Sequence, residues 1–128
     1  MREILFRGLT LDGKWVYSMN ISKGTIKSKR DCLFMEIAED KWKGIKPETL
    51  GQFTGLKDKN GVKIFEGDVY HQGDRNIKYK VIFKNGQFVG NQINNKSLAG
   101  LNHFIKDIEI IRNIYEKAGK SKRLKPLV

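Results

Sequence analysis

Glu66-Gly67-Asp68 places two carboxylates two residues apart, so that on a strand both would project from one face. Paired acids at that spacing can hold a divalent cation or share acid–base work. Neither a histidine nor a third acid follows at a supporting spacing. The simpler reading is a bend at Gly67, with the Asp68 carboxylate accepting from nearby backbone N–H groups. Asp58-Lys59-Asn60-Gly61 with Glu66 has a superficial likeness to a calcium loop. Such a loop spaces further acidic or amide ligands ahead of its glycine, whereas here Gly61 follows Asn60 directly, and the segment reads as a turn. His71 and His103 share no Cys or acid at metal spacing, and a zinc site needs about four ligands. Cys32 sits in no nucleophile motif and reads as a small apolar core residue. Gly51, Gly55 and Gly61 lack the Gly-Lys-Ser/Thr continuation of a phosphate loop. The residues therefore predict no catalytic group, no metal site and no cofactor, and the chain reads as a non-enzyme.

Positive charge is the remaining signal. The 128 residues carry 25 Lys and Arg against 14 Asp and Glu, a net charge of +11. Lys117, Lys120, Lys122, Arg123 and Lys125 follow Glu116 with no acid among them, and Lys23, Lys27, Lys29 and Arg30 form a second cluster. Such clusters attract polyanions without regard to sequence, although they also serve simply as solvated, solubilising surface. Trp42 stands between Lys41 and Lys43 in a polar segment. An exposed aromatic beside lysine can stack a base, while a packed cap over the end of a small barrel is the competing reading. Lys41, Trp42, Lys43 and the five basic tail residues are the candidate nucleic-acid contacts.

No apolar run approaches the roughly 20 residues a bilayer helix requires, and Met1-Arg2-Glu3 leads into an alternating pattern rather than a signal peptide. A single cysteine suits a reducing compartment. A cytoplasmic protein of a bacterial cell without membrane contact is expected.

These residues must be positioned by short strands. Trp15, Tyr17, Met19 and Ile21 alternate with Lys14, Val16, Ser18 and Asn20, and with Glu3 to Leu11 they flank Asp12-Gly13. The pattern predicts a hairpin with both central turn residues at positive φ. Lys84-Asn85-Gly86 between Ile77–Phe83 and Gln87–Asn91 predicts a second hairpin. Leu33–Ile37, Leu50–Thr54 and a segment beginning at Val69-Tyr70 read as strands. Ser22–Asp31 reads as loop, Glu39–Gly44 as loop or helical turn, and Ser97–His103 as a short helical turn. In residues 105–116 the isoleucines fit helical and strand spacing alike, and their density tips the reading towards strand. The expected fold class is mainly β, all-β or α+β, with a small barrel or sandwich as architecture.

Pro47 to Gly61, continuing through Ile64-Phe65-Glu66-Gly67-Asp68-Val69, resembles the signature of the YopX family, small proteins encoded by bacteriophages and prophages, mostly of Gram-positive bacteria. Ile4-Leu5-Phe6-Arg7-Gly8 with Trp15-Val16-Tyr17 is similar to that family's opening hairpin. Val81-Ile82-Phe83, Gly86-Gln87-Phe88 and Ile110 to Glu116 also match its pattern. Two departures add positive charge: Arg112 stands where the family commonly has Gly, and the basic tail replaces an acidic or prolyl ending. The resemblance implies a single domain over 1–116, with an N-terminal hairpin region (1–46) packed on an SH3-like barrel region (47–116), followed by the tail 117–128. It implies a phage setting and no established activity. Charge and pattern together give a leading expectation of a weak, sequence-independent nucleic-acid-binding accessory protein. The rival is a protein-interaction module or homo-oligomeric scaffold acting on a host or phage protein.

Overall fold

The computed structural model describes residues 3–26, 29–102 and 105–115, with the backbone alone for 25, 26 and 29–32. The mainly-β expectation holds. Twelve strands and one short 3₁₀ turn make up the described structure, without an α-helix. Two units are distinguished, Met1–Phe53 and Thr54–Val128.

The first unit holds β1 (Phe6–Leu9), β2 (Trp15–Ser18), β3 (Ile21–Ile26), β4 (Lys29–Ala38), β5 (Lys41–Ile45), the 3₁₀ turn Pro47–Thr49, and the start of β6 (Gly51–Lys57). The predicted first hairpin forms, with Leu9 opposite Trp15 and Phe6 opposite Ser18. Its turn differs from expectation. Gly13 takes φ +89 and Asp12 does not take a positive φ, because the loop has five residues rather than two. Thr10 N–H donates to Lys14 O at 2.8 Å and Gly13 N–H to Thr10 O at 2.9 Å, the pattern of a longer loop that ends in one left-handed glycine.

Ser22–Asp31, read as loop, and Glu39–Gly44, read as loop or helical turn, form strand over most of their described residues. β3 and β4 pair from Ile21↔Met35 to Ile26↔Lys29, and β4 pairs with β5 from Leu33↔Ile45 to Ala38↔Lys41. Their polar composition reflects exposed faces, since cross-strand pairing and the buried Met35 and Ile45 set the sheet in place of local propensity. Gly8 is required here by close approach: a Cβ would stand 2.5 Å from Ile45 Cγ2 and 3.0 Å from Met35 Sδ. Arg7 is buried with its guanidinium 5.1 Å from the centre of the Trp15 ring.

The second unit continues β6 and adds β7 (Lys63–Phe65), β8 (Asp68–His71), β9 (Tyr79–Lys84), β10 (Gln87–Gln92), β11 (Leu98–Gly100) and β12 (Glu109–Asn113). The last five form one sheet in the order β11-β10-β9-β8-β12. Its core contains Ile64, Tyr70, Val81, Leu101 and Ile108. The second hairpin turns as predicted, with Asn85 at φ +52, Gly86 at φ +80 and Lys84 opposite Gln87. The ambiguity over residues 105–116 resolves towards strand, and the helical-turn reading of Ser97–His103 is corrected at Leu98–Gly100. β12 pairs with β8 around a bulge at Ile110/Arg112, and Leu98–Gly100 adds to β10 as an edge strand rather than a helical turn. Pairing at Gly90↔Ala99 supplies the partner that local sequence could not show. Cys32's side chain, Lys27, His103, Glu116 and the basic tail lie outside the described residues.

Candidate functional site

The acids that looked most like chemistry are consumed by the fold. Asp68 is fully buried, and its Oδ2 accepts from Phe65 N–H at 2.8 Å. Gly67 between the two acids takes φ +92, and its N–H donates to Val81 O, so Glu66-Gly67-Asp68 is a structural bend. Asp58 is likewise buried. Its Oδ1 accepts from Asn60 and Val62 N–H (2.8 and 2.9 Å), and its Oδ2 accepts from Ile110 N–H at 3.0 Å. One carboxylate thus closes its own turn and ties β12 to it.

A second polar cluster surrounds Glu109. His71 Nδ1 accepts from Gly73 N–H at 3.2 Å, which leaves Nε2 as the protonated nitrogen donating to Glu109 Oε1 at 3.1 Å. Lys59 Nζ and Arg75 Nη2 each stand 3.6 Å from that oxygen. Partial desolvation pushes the Glu109 carboxyl upward, and the charges of Lys59 and Arg75 with the hydrogen bond from His71 bring it below the usual carboxylate value. The cluster braces β8 against β12. Among the described residues no group of three or more His, Cys, Asp and Glu is placed to hold a metal ion. No helix among them is long and apolar enough to cross a membrane.

The aromatic candidate lies on β5. Trp42 is 43% exposed and directly opposite Glu36, whose two oxygens accept from Asn20 Nδ2 and Asp40 N–H. Strand alternation puts Lys41 and Lys43 on the other face of β5, and Lys43 Nζ stands 3.9 Å from Asp12 Oδ2. Leu11, 71% exposed, and Phe34 share the Trp42 side, since a Cβ on Gly44 would touch both. The structure therefore does not gather Lys41, Trp42 and Lys43 on one face.

A different basic surface emerges in the second unit. Fifteen of the 25 Lys and Arg residues but only seven of the 14 acids fall in residues 54–128. Asp58 and Asp68 are buried, and Glu109 is neutralised locally. From Arg75 to Lys106 the chain has six basic residues, Arg75, Lys78, Lys80, Lys84, Lys96 and Lys106, and no acid. The run contains β9, β10 and β11, and none of its lysines is buried. Asn and Gln fill many of its remaining surface positions, adding neutral donors and acceptors. At the end of β9, Phe83 is 52% exposed and meets Phe88 edge to face, with ring centres 4.9 Å apart. This surface was open to sequence reading as a long stretch without Asp or Glu, a signal hidden when basic residues alone are counted.

Residues 5–121 match the family model described as YopX protein. No curated protein matches the chain. Among solved structures the chain is similar to the crystal structure of protein EF1440 from Enterococcus faecalis, with a TM-score of 0.54 and 21% sequence identity over 90% of this chain and 95% of that one. At that identity the likeness concerns the fold.

Proposed function

The chain belongs to the YopX family, and from that premise we propose that it is a non-enzymatic phage or prophage accessory protein that binds nucleic acid without sequence preference, using the β9–β11 surface of its second unit. The observation that carries this reading is the run from Arg75 to Lys106, which has six cations and no acid. Lys80 and Lys84 stand on β9, and the other four lie in the segments that flank and connect β9, β10 and β11. A surface without interspersed carboxylates keeps its positive potential, and neutralising phosphates there releases condensed counterions. The buried Asp58 and Asp68 add to the effect, because their charge is spent on backbone N–H groups. The five basic residues after Glu116 extend the same sign of charge. Acid–base chemistry has little support, since Asp58, Asp68, His71 and Glu109 are each engaged in holding strands together.

Fluorescence anisotropy with labelled DNA and RNA, over a range of salt, tests the reading. Binding should weaken linearly in log–log form as salt rises, with a slope of roughly 0.9 per phosphate neutralised on a duplex. A chain ending at Glu116 should bind more weakly with a shallower slope. Absence of binding at low salt, or binding indifferent to salt, contradicts the proposal.

A protein partner is the second reading, favoured by Leu11, Phe34 and Trp42 on one side of β3–β5. Its homo-oligomeric form is checked by sedimentation: a concentration-dependent shift from monomer mass, abolished by Trp42→Ala, supports it, and a monomer at all concentrations removes it.

A further inference from the structure

We propose that the bulge in β12 aims Arg112 onto the lysine-bearing face of the second sheet, where it holds a backbone phosphate and favours a duplex; the inference rests on the polyanion reading of the β9–β11 run and adds a residue from outside that run. Register fixes the face. Arg112 lies opposite Val69, Val69 opposite Lys80, Lys80 opposite Asn91 and Asn91 opposite Leu98, one row across all five strands. Directly opposed residues project from the same side of a sheet. Alternation along β9 adds Ile82 and Lys84 to that side, with Gln87 opposite Lys84.

The bulge decides which side Arg112 takes. Ile110 lies opposite Tyr70 and packs against the core. Plain alternation would return the strand to that side two residues later, at Arg112. The register shift between Ile110 and Arg112 turns it over, as a bulge does where a strand must re-aim a side chain. Its Nη1 donates to Asn113 O at 3.1 Å, which steadies the guanidinium on the strand.

Spacing and composition select the occupant. With strands about 4.8 Å apart and a rise of about 3.3 Å per residue, the Arg112 and Lys80 backbones stand roughly 10 Å apart, and Lys84 lies roughly 13 Å along β9 from Lys80. Val69 and Val89 are buried on this face, whereas Arg112 and Lys80 are partly exposed and Lys84 and Gln87 exposed. Glu109, opposite His71 on the same face, is neutralised by Lys59 and Arg75. A planar guanidinium grips phosphate through paired N–H donors, which a lysine beside it does not. The rings of Tyr70, Tyr79, Phe83 and Phe88 all lie on the other side of the sheet, where they give an unpaired base on this face nothing to stack on. Phosphates then carry the affinity, and a duplex offers one charge per ~1.7 Å of its axis against ~3.4 Å for one strand.

The test measures anisotropy of a labelled duplex and of its labelled single strand, with the full chain and the variants Arg112→Gln, Arg112→Lys and Lys41→Gln. The parent should bind the duplex more tightly than the single strand. Arg112→Gln should lose roughly tenfold in duplex affinity at low salt, the scale of one charged hydrogen-bonded contact, and its salt slope should fall by about 0.9. Arg112→Lys should restore the slope, and Lys41→Gln, with the same loss of charge, should stay within about twofold of the parent. If the parent binds and Arg112→Gln leaves affinity and slope unchanged, or weakens binding no more than Lys41→Gln, the inference falls while the polyanion reading stands. A loss of slope that Arg112→Lys does not restore would make the arginine a brace of β12 and overturn the inference. Tighter binding of the single strand than of the duplex would overturn it as well. If the parent binds neither probe at low salt, the polyanion reading falls and the inference with it.

Discussion

β3–β5 in the first unit and β9–β11 in the second are both three-stranded antiparallel runs with an exposed aromatic ring, Trp42 in one and Phe83 in the other. The first carries more cations: residues 21–45 contain Lys23, Lys27, Lys29, Arg30, Lys41 and Lys43, and residues 79–100 contain Lys80, Lys84 and Lys96. What separates them is the acids. Asp31, Glu36, Glu39 and Asp40 intersperse the first run, and none intersperses the second. Potential over a surface is set by the balance and spacing of charges rather than by the cations alone, so only the second run presents one continuous sign. Trp42 shares its side with Leu11 and Phe34, whereas Phe83 lies on the Val81 side of β9, the side opposite Lys80 and Lys84.

The two runs also differ in how tightly each is built, and substitutions can sharpen or break that contrast. The largest effect is expected at Gly90. A Cβ there would collide with the hydroxyl of the fully buried Tyr70, whose ring is stacked at 5.3 Å on Tyr79. Gly90→Ala should cost about 3 kcal/mol or more, because the obstruction is a packed ring with nowhere to move. The matching Gly44→Ala in β5 meets Leu11 at 3.2 Å and Phe34 at 4.0 Å, on an exposed side where both can shift, and should cost under about 1 kcal/mol. Chemical denaturation compares the pair, and similar losses would deny the difference in packing.

Next in size is the contrast between two five-residue loops of one design. Thr10–Lys14 and Asp58–Val62 share the same pair of backbone hydrogen bonds, and in each a side-chain oxygen of the first residue accepts from the last N–H at 2.9 Å. The Thr10 hydroxyl serves its own loop, donating to Asp12 Oδ1. Asp58 has a second oxygen, which reaches Ile110 N–H in β12. Asp58→Ala should therefore cost roughly 3 kcal/mol and Thr10→Ala about 1 kcal/mol, on the scale of charged and neutral hydrogen bonds. Hydrogen exchange gives a sharper reading: Asp58→Ala should speed exchange at Ile110, and Thr10→Ala should leave it unchanged.

The smallest expected effect concerns Glu109 at the β12 edge of the second sheet. Its folded carboxyl lies below the ordinary value of 4.5, so its contribution to stability is present above that value and fades as pH falls through the folded one. Glu109→Gln should be slightly less stable than the parent near neutrality, and the two should converge as falling pH protonates the folded carboxyl. A gap that stays constant across the titration would mean that charge plays no part in the brace.

Much of the frame was legible in the residues. Asn85-Gly86 demanded a two-residue hairpin and formed one, and Glu66-Gly67-Asp68 read correctly as a bend with Asp68 on backbone N–H groups. Asp12-Gly13 misled, because the same dipeptide serves a five-residue loop when Thr10 can cap it. β3, β5 and β11 were hidden because their residues are polar, glycine-containing or short, and only pairing partners elsewhere in the chain make them strands. The candidate site was half legible. Attention to Lys41-Trp42-Lys43 overlooked that alternation sends a strand's neighbours to opposite faces, while the acid-free stretch containing Phe83 needed acids rather than lysines to be counted.

The central claim is that the β9–β11 surface, rather than cationic charge in general, binds nucleic acid. Two double variants with equal charge change decide it: Lys80→Glu with Lys84→Glu in β9, and Lys41→Glu with Lys43→Glu in β5. With single-stranded DNA at low salt and anisotropy as readout, the β9 variant should lose more than about tenfold in affinity with a shallower salt slope, and the β5 variant should stay within about threefold of the parent. Equal losses from both variants, or a larger loss from the β5 variant, would contradict the account.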